Sequence, residues 1–199
     1  MATASTKTRS TPARRAASTA ARKPSTTRAR APRAPAPQEA TALLKADHKL
    51  VSGLFEQYGN TRSTAKKKAL VASICKELGI HAQAEEEVFY PAVKAALKDK
   101  ELVPEAIVEH ASLKELISQV EGKEPDGEMF DAKVQVLSEY VKHHVKEEET
   151  EMFPKARKTT LDMKALGARI AARKEELAAT WPALQDKPNM LTRVVEAMS

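Results

Sequence analysis

The chain contains five histidines, His48, His81, His110, His143 and His144. His81-Ala82-Gln83-Ala84-Glu85 and His144-Val145-Lys146-Glu147-Glu148 both read H-x-x-x-E. On a helix that spacing puts imidazole and carboxylate on one face, about one turn apart. Together with His48 and His110, the two faces offer four nitrogens and two carboxylates. Any one of these histidines would serve alone as a core residue with ordinary hydrogen bonds. The set would not, because burying Glu85 and Glu148 without a counter-charge is expensive. Metal ions supply that charge, and imidazole–carboxylate donors suit iron, manganese or zinc.

Helices must carry these residues, and the apolar periodicity provides four. Leu43, Leu44, Asp47, His48, Val51, Leu54, Phe55 and Tyr58 recur at i, i+3/i+4 and stop at Gly59-Asn60. A second helix starts near Ser63 and runs through Leu70, Ile74, Leu78, His81, Glu85, Val88 and Phe89 to Pro91, where it stops or continues with a kink. Pro104 suits the first turn of a third, which carries Ile107, His110, Leu113, Leu116, Ile117 and Val120. Gly122 to Gly127 reads as a loop, with Asp126 the expected cap of a fourth helix. That helix bears Phe130, Val134, Leu137, Tyr140, Val141, His144, Glu148, Met152 and Phe153. Long helices on short loops predict an all-α, antiparallel up-and-down four-helix bundle over residues 38–157. The strings HAQAEEEVFYP (81–91) and HVKEEETEMFP (144–154) match at a shift of 63, and His48 to His110 at 62, as in a tandem duplication of a two-helix unit. Glu86, Glu87, Glu147 and Glu149 are expected on a solvated face. Tyr58 and Tyr140 read as packing aromatics, with a redox role as the alternative. Residues 158–199 read as a helical extension (Met163, Leu166, Ile170, Leu177, then Leu191, Val194, Val195, Met198) without recognisable chemistry.

The ordered set H, H-x-x-x-E, H, H-x-x-x-E, with an aromatic-Pro after each pair, resembles the haemerythrin-like, HHE cation-binding family over roughly residues 40–156. The resemblance rests on DHKLVSGLFEQY (47–58), HAQAEEEVFYP, the EH at 109–110 and HHVKEEETEMFP (143–154). It implies a four-helix bundle around a non-haem di-iron centre, two iron ions under an oxo or hydroxo bridge, with manganese or zinc the lesser expectation. Carried over, the implied ligands are His48, His81, Glu85, His110, His144 and Glu148, both glutamates bridging. His143 also lies four before Glu147, and the prolines choose between the two registers: Pro91 is ten after His81, and Pro154 ten after His144. Oxygen-carrying members use five histidines. Four here leave each iron about five ligands and a position for O2, peroxide or NO. Binding such a ligand, in an oxidant or iron response, is the leading expectation. Peroxide breakdown or ferroxidase turnover is the enzymatic alternative. A nucleoid- or stress-associated nucleic-acid-binding protein with a structural metal site is the other.

Composition limits the remaining choices. Only 6 Gly among 199 residues and 4% aromatics argue against a β-sandwich or barrel. The lone Cys75 excludes a disulfide framework within the chain and a Cys-rich zinc module. No stretch approaches the roughly 20 apolar residues of a membrane span, and the first residues lack the apolar core of a secretory signal. A soluble, cytoplasmic protein is expected. The net charge of +6 is unevenly placed. Residues 1–40 hold nine Lys/Arg against Glu39, a net +8, while the rest balances 24 basic against 26 acidic residues, a net −2. Residues 1–37 contain no Leu, Ile, Val, Phe, Tyr or Trp, so disorder is expected there. Such a basic tail binds DNA or RNA through counterion release, which would make the protein nucleoid-associated. A solubilising tail and an organelle transit peptide are the alternatives.

Overall fold

The computed structural model describes residues 38–98 and 100–185, with 182–185 as backbone only. The expectations for residues 1–37 and for Leu191, Val194, Val195 and Met198 lie outside the described residues. Every regular element within them is helical: α1 (Ala40–Gly59), α2 (Thr64–Ala84), α3 (Tyr90–Leu97), α4 (Leu102–Val120), α5 (Glu128–Glu147), α6 (Phe153–Arg157) and α7 (Met163–Gln185). Two π-helical turns, Glu85–Phe89 and Glu148–Met152, join α2 to α3 and α5 to α6.

Local chemistry sets the helix ends. The Glu39 carboxylate accepts the Ala42 amide at 3.2 Å and pairs with Arg157 at 2.8 Å, so the start of α1 is capped and tied to α6. Ser63 Oγ accepts the Lys66 amide at 3.4 Å at the start of α2. The expected cap of the fourth helix is corrected: Gly127, not Asp126, occupies that position, at φ 146 and without a side-chain hydrogen bond. Glu128 and Asp131 in the first turn of α5 face the positive helix end instead.

The choice left open at Pro91 resolves as continuation. Proline has no N–H and its ring clashes with the carbonyl four residues back, so an α-helix cannot pass through it undisturbed. Here the preceding turn widens. The Tyr90 amide bonds to the Glu85 carbonyl and the Phe153 amide to that of Glu148, both five residues back. Each helix then resumes with its proline in the first turn. The second helix therefore reaches Leu97, where Lys98 turns left-handed at φ 53.

α1, α2, α4 and α5 pack in a closed ring, each against the next. Their inward stripes, such as Leu44, His48, Val51, Phe55 and Tyr58 on α1, follow the 3.6-residue period. Two apolar clusters result. One, built on Val51, Phe55, Ile74, Leu113, Phe130 and Leu137, fills the end with the α1–α2 and α4–α5 turns. The other, around Leu44, Phe89, Tyr90, Val93 and Phe153, extends to α7 through Leu166, Ile170 and Leu177. α7 lies against α1, α2 and the first π turn as a fifth helix. Trp181 lies over Gly79, where any Cβ would strike the indole ring.

Candidate metal centre

All six residues singled out by spacing meet between the two apolar clusters. The ligand-type atoms of His48, His81, Glu85 and Glu148 lie within 4.8 Å of one another, and so do those of Glu85, His110 and His144. His48 Nε2 is 3.2 Å from His81 Nε2, and His110 Nε2 is 3.0 Å from His144 Nε2. Glu85 Oε2 lies 3.1 Å from His81 Nε2 and 3.5 Å from His110 Nε2, so it spans both groups. Glu148 Oε2 does likewise, 3.2 Å from His48 Nε2 and 3.7 Å from His144 Nε2. Both glutamates are buried, at 0% and 1% exposure. Glu85 Oε1 and Glu148 Oε2 accept no hydrogen bond of good geometry.

The outer nitrogens explain what the inner ones require. His48 Nδ1 donates to Glu149 at 2.9 Å, His81 Nδ1 to Asp47 at 3.2 Å, His110 Nδ1 to Glu86 at 3.0 Å and His144 Nδ1 to Glu109 at 2.7 Å. A carboxylate at Nδ1 fixes the proton there, so in the neutral ring Nε2 is a bare acceptor. Four bare nitrogens and two carboxylates then converge with no cationic group among them, and positive charge must be supplied by protons or by metal ions. Without metal the protons are drawn in. Burial alone would lower the His81 pKa, but Glu85, Asp47 and Glu148 push it up to about 10. Burial alone would raise Glu148, yet His48, His144 and His81 hold it below the usual carboxylate range. His144 is raised as well: burial opposes this, and Glu109 and Glu148 prevail.

Two expectations are corrected here. Glu86 and Glu149 do not simply face solvent but orient His110 and His48, because each histidine projects from the neighbouring helix toward the flank of the glutamate-bearing turn. The C-terminal extension does carry chemistry: Lys174 on α7 pairs with Asp47, the carboxylate that holds His81. Glu87 pairs with Arg173 of the same helix. His143 lies outside the cluster, 64% exposed, beside Glu147 and Glu109. Tyr58 donates to Asp131 at 2.6 Å, and Tyr140 is exposed.

Sequence reading missed Tyr90. Its hydroxyl donates to Glu148 Oε1 at 2.9 Å and lies 3.2 Å from His110 Nε2 and 3.4 Å from Glu85 Oε2. Burial, then Glu85 and Glu148, keep it protonated well above the ordinary tyrosine range. Phe153 holds the equivalent place in the other half, stacked on His48 at 5.8 Å and 9°. The only signal in sequence was that the aromatic before proline is Tyr in one repeat and Phe in the other.

A four-helix bundle with histidines and bridging-position glutamates on facing helices defines the class of bundle-core metal-binding proteins. More narrowly, the chain belongs to the hemerythrin HHE cation binding domain family, whose domain matches residues 39–156. It is similar to a protein named DNA nickase from Nostoc sp., at 31% identity over 111 residues, 56% of this chain and 31% of that relative. The chain thus spans under a third of that relative's length. Its fold is like that of a hemerythrin HHE cation binding domain-containing protein from Mycobacterium kansasii, with TM-score 0.63, 24% identity, and coverage of 77% of this chain and 96% of the other.

Proposed function

We propose that this chain holds two iron ions, one near His48 and His81 and one near His110 and His144, with Glu85 and Glu148 shared, and that the pair binds O2, peroxide or NO. The observation that carries this reading is the convergence of four Nε2 atoms whose Nδ1 atoms are all held by carboxylates. The donor set of imidazole and carboxylate fits iron. A bound iron pair would supply an exchangeable coordination position and electrons for the small ligand. The protein's own residues do the rest. Asp47, Glu86, Glu109 and Glu149 orient the rings, and Tyr90 holds a proton at its hydroxyl beside Glu148.

Size selection supports the ligand class. A cavity of about 20 Å³ adjoins the four histidines and is walled by Val51, Leu78, Leu113, Ile117, Val141 and Val145. That is room for about one water-sized molecule. Apolar walls favour an uncharged diatomic or peroxide over a hydrated anion.

The test is iron content and optical spectra of aerobically purified protein. Two ions per chain are expected. His81→Ala and Glu148→Ala should lose most of the metal, and His143→Ala should keep both ions. Retention in the first two with loss in the third would sink the assignment. Peroxide consumption in steady state would move the reading from binding to turnover.

A nucleic-acid partner is a second reading, favoured by the net +8 of residues 1–40 and by the name of the Nostoc relative. In that reading residues 1–37 bind DNA or RNA and the metal-holding bundle is the attached domain.

A further inference from the structure

The four carboxylates that hold the histidines are not treated alike. Three of them are matched by a lysine. Lys45 pairs with Glu149 at 3.3 Å, Lys114 with Glu86 at 2.6 Å, and Lys174 with Asp47. Among the described residues no Lys or Arg pairs with the fourth, Glu109. In that place stand a second carboxylate, Glu147, and the exposed ring of His143. His143 Nε2 lies 3.2 Å from Glu147 Oε1 and 3.5 Å from Glu109 Oε1, and one ligand atom from each of the three residues falls within 4.8 Å of the others. With a neutral imidazole this corner carries two uncompensated negative charges where its three counterparts carry an ion pair.

We propose that Glu109, His143 and Glu147 form a separate, solvent-facing site for a divalent first-row transition cation, and that this site loads the buried cluster. One imidazole and two carboxylates are a donor set for Fe2+, Mn2+ or Zn2+, with water completing the coordination. The cation occupies the role that Lys45, Lys114 and Lys174 fill at the other three corners.

The route inward is short and is lined by acceptors. Glu109 has one oxygen on His143 and the other 2.7 Å from His144 Nδ1. A cleft of about 10 Å³ beside this corner is walled by Glu105, Glu109, His144, Glu147, Glu148 and Met152. Its inner wall therefore includes Glu148, 1% exposed, with one oxygen that accepts no hydrogen bond. His144 is the one residue in this wall that can be cationic, and a cation that reaches its ring displaces the proton held there. The route, though not the outer site, rests on the reading that the buried cluster holds metal.

The experiment uses the full chain and Mn2+ as probe. Mn2+ is the weakest binder of the first-row order and leaves ions already held in the buried cluster in place. His143→Lys puts an ammonium where the other corners have one, on an exposed position that does not disturb the core. Glu147→Gln removes one donor. Counted by electron paramagnetic resonance, wild type should bind one more Mn2+ per chain than His143→Lys, and Glu147→Gln should bind that ion more weakly. Fe2+ loading of metal-free protein should slow about tenfold in His143→Lys, the lower end of what a cleft lined with one sign of charge contributes to association. Equal Mn2+ counts in wild type and His143→Lys overturn the site and leave His143–Glu147 an ordinary i, i+4 pair. An unchanged loading rate overturns the route. If the buried cluster holds no iron in any variant, the function proposed above fails, while the difference of one Mn2+ still decides the outer site.

Discussion

Tyr90 and Phe153 occupy equivalent places in the two halves of the cluster and differ by one oxygen. His110 meets a hydroxyl at 3.2 Å where His48 meets only a ring face. The two halves are therefore chemically unequal although their histidines and glutamates repeat. Tyr90→Phe should retain two metal ions, since all six expected ligands remain, but change the optical spectrum of the iron-loaded protein. It should also lower the stability of the metal-free form by about 1–3 kcal/mol, because the buried Glu148 carboxylate loses its donor. Spectra and denaturant unfolding of both forms check this, and an unaltered spectrum would remove Tyr90 from the metal environment. The residue was illegible in sequence for a geometric reason. At about 100° per residue an α-helix puts position 90 roughly 140° away from position 85. Only the widened turn, with its i+5 hydrogen bond, brings the Tyr90 hydroxyl to within 3.4 Å of Glu85. The H-x-x-x-E pairs were legible because they end where the π turns begin, so α periodicity still holds across them.

Among the elements, α7 is the one whose purpose periodicity could not reveal. Its apolar stripe predicted a helix, and Leu166, Ile170 and Leu177 are indeed buried. Nothing in a one-dimensional pattern connects Lys174 to Asp47, 127 positions earlier, or Trp181 to Gly79. Lys174→Ala should weaken metal retention by up to about tenfold, because it removes the counter-charge of Asp47, and loss of an outer partner such as Asp47 itself costs about 10–100-fold. Chelator competition measures it, and unchanged retention would reduce α7 to a packing role. The closeness of that packing can be tested separately with glycines. A Cβ at Gly167 would fall on the backbone of Gln38 and 2.8 Å from the Ala40 amide, and backbone cannot rotate aside. Gly167→Ala should therefore destabilise by about 1–3 kcal/mol. Gly53, in the interior of α1 with nothing within 4 Å of its would-be Cβ, gives the opposite sign. Gly53→Ala should stabilise by about 0.5–1 kcal/mol through helix propensity alone. Melting temperatures of the two variants should lie on either side of wild type. A neutral Gly167→Ala would mean that α7 can shift freely against the start of α1.

For the whole molecule the decisive quantity is the separation of charge. Residues 1–40 carry +8 and the remainder −2, and the family match begins at residue 39, where the charge changes. A bundle of net negative charge repels phosphate, so affinity for nucleic acid is expected from residues 1–37. Nine Lys/Arg spread over that stretch neutralise phosphates by releasing counterions, a contribution that does not depend on base sequence. Binding should therefore be similar for unrelated duplexes and fall steeply with salt, with a log–log slope of roughly −0.9 per neutralised phosphate. If about five charges engage, a fourfold rise in salt weakens binding by a few hundred-fold on that slope. The comparison is between the full chain and residues 38–199, on two unrelated duplexes at two salt concentrations. The shorter chain should bind neither, and its metal content should be unchanged, because residues 1–37 offer the core no large apolar side chain except Met1 and no histidine. Equal binding by both chains would place the nucleic-acid contact on the bundle. Absence of binding by either at low salt would leave residues 1–37 a solubilising or targeting segment, with small-ligand chemistry at the metal centre as the function that remains.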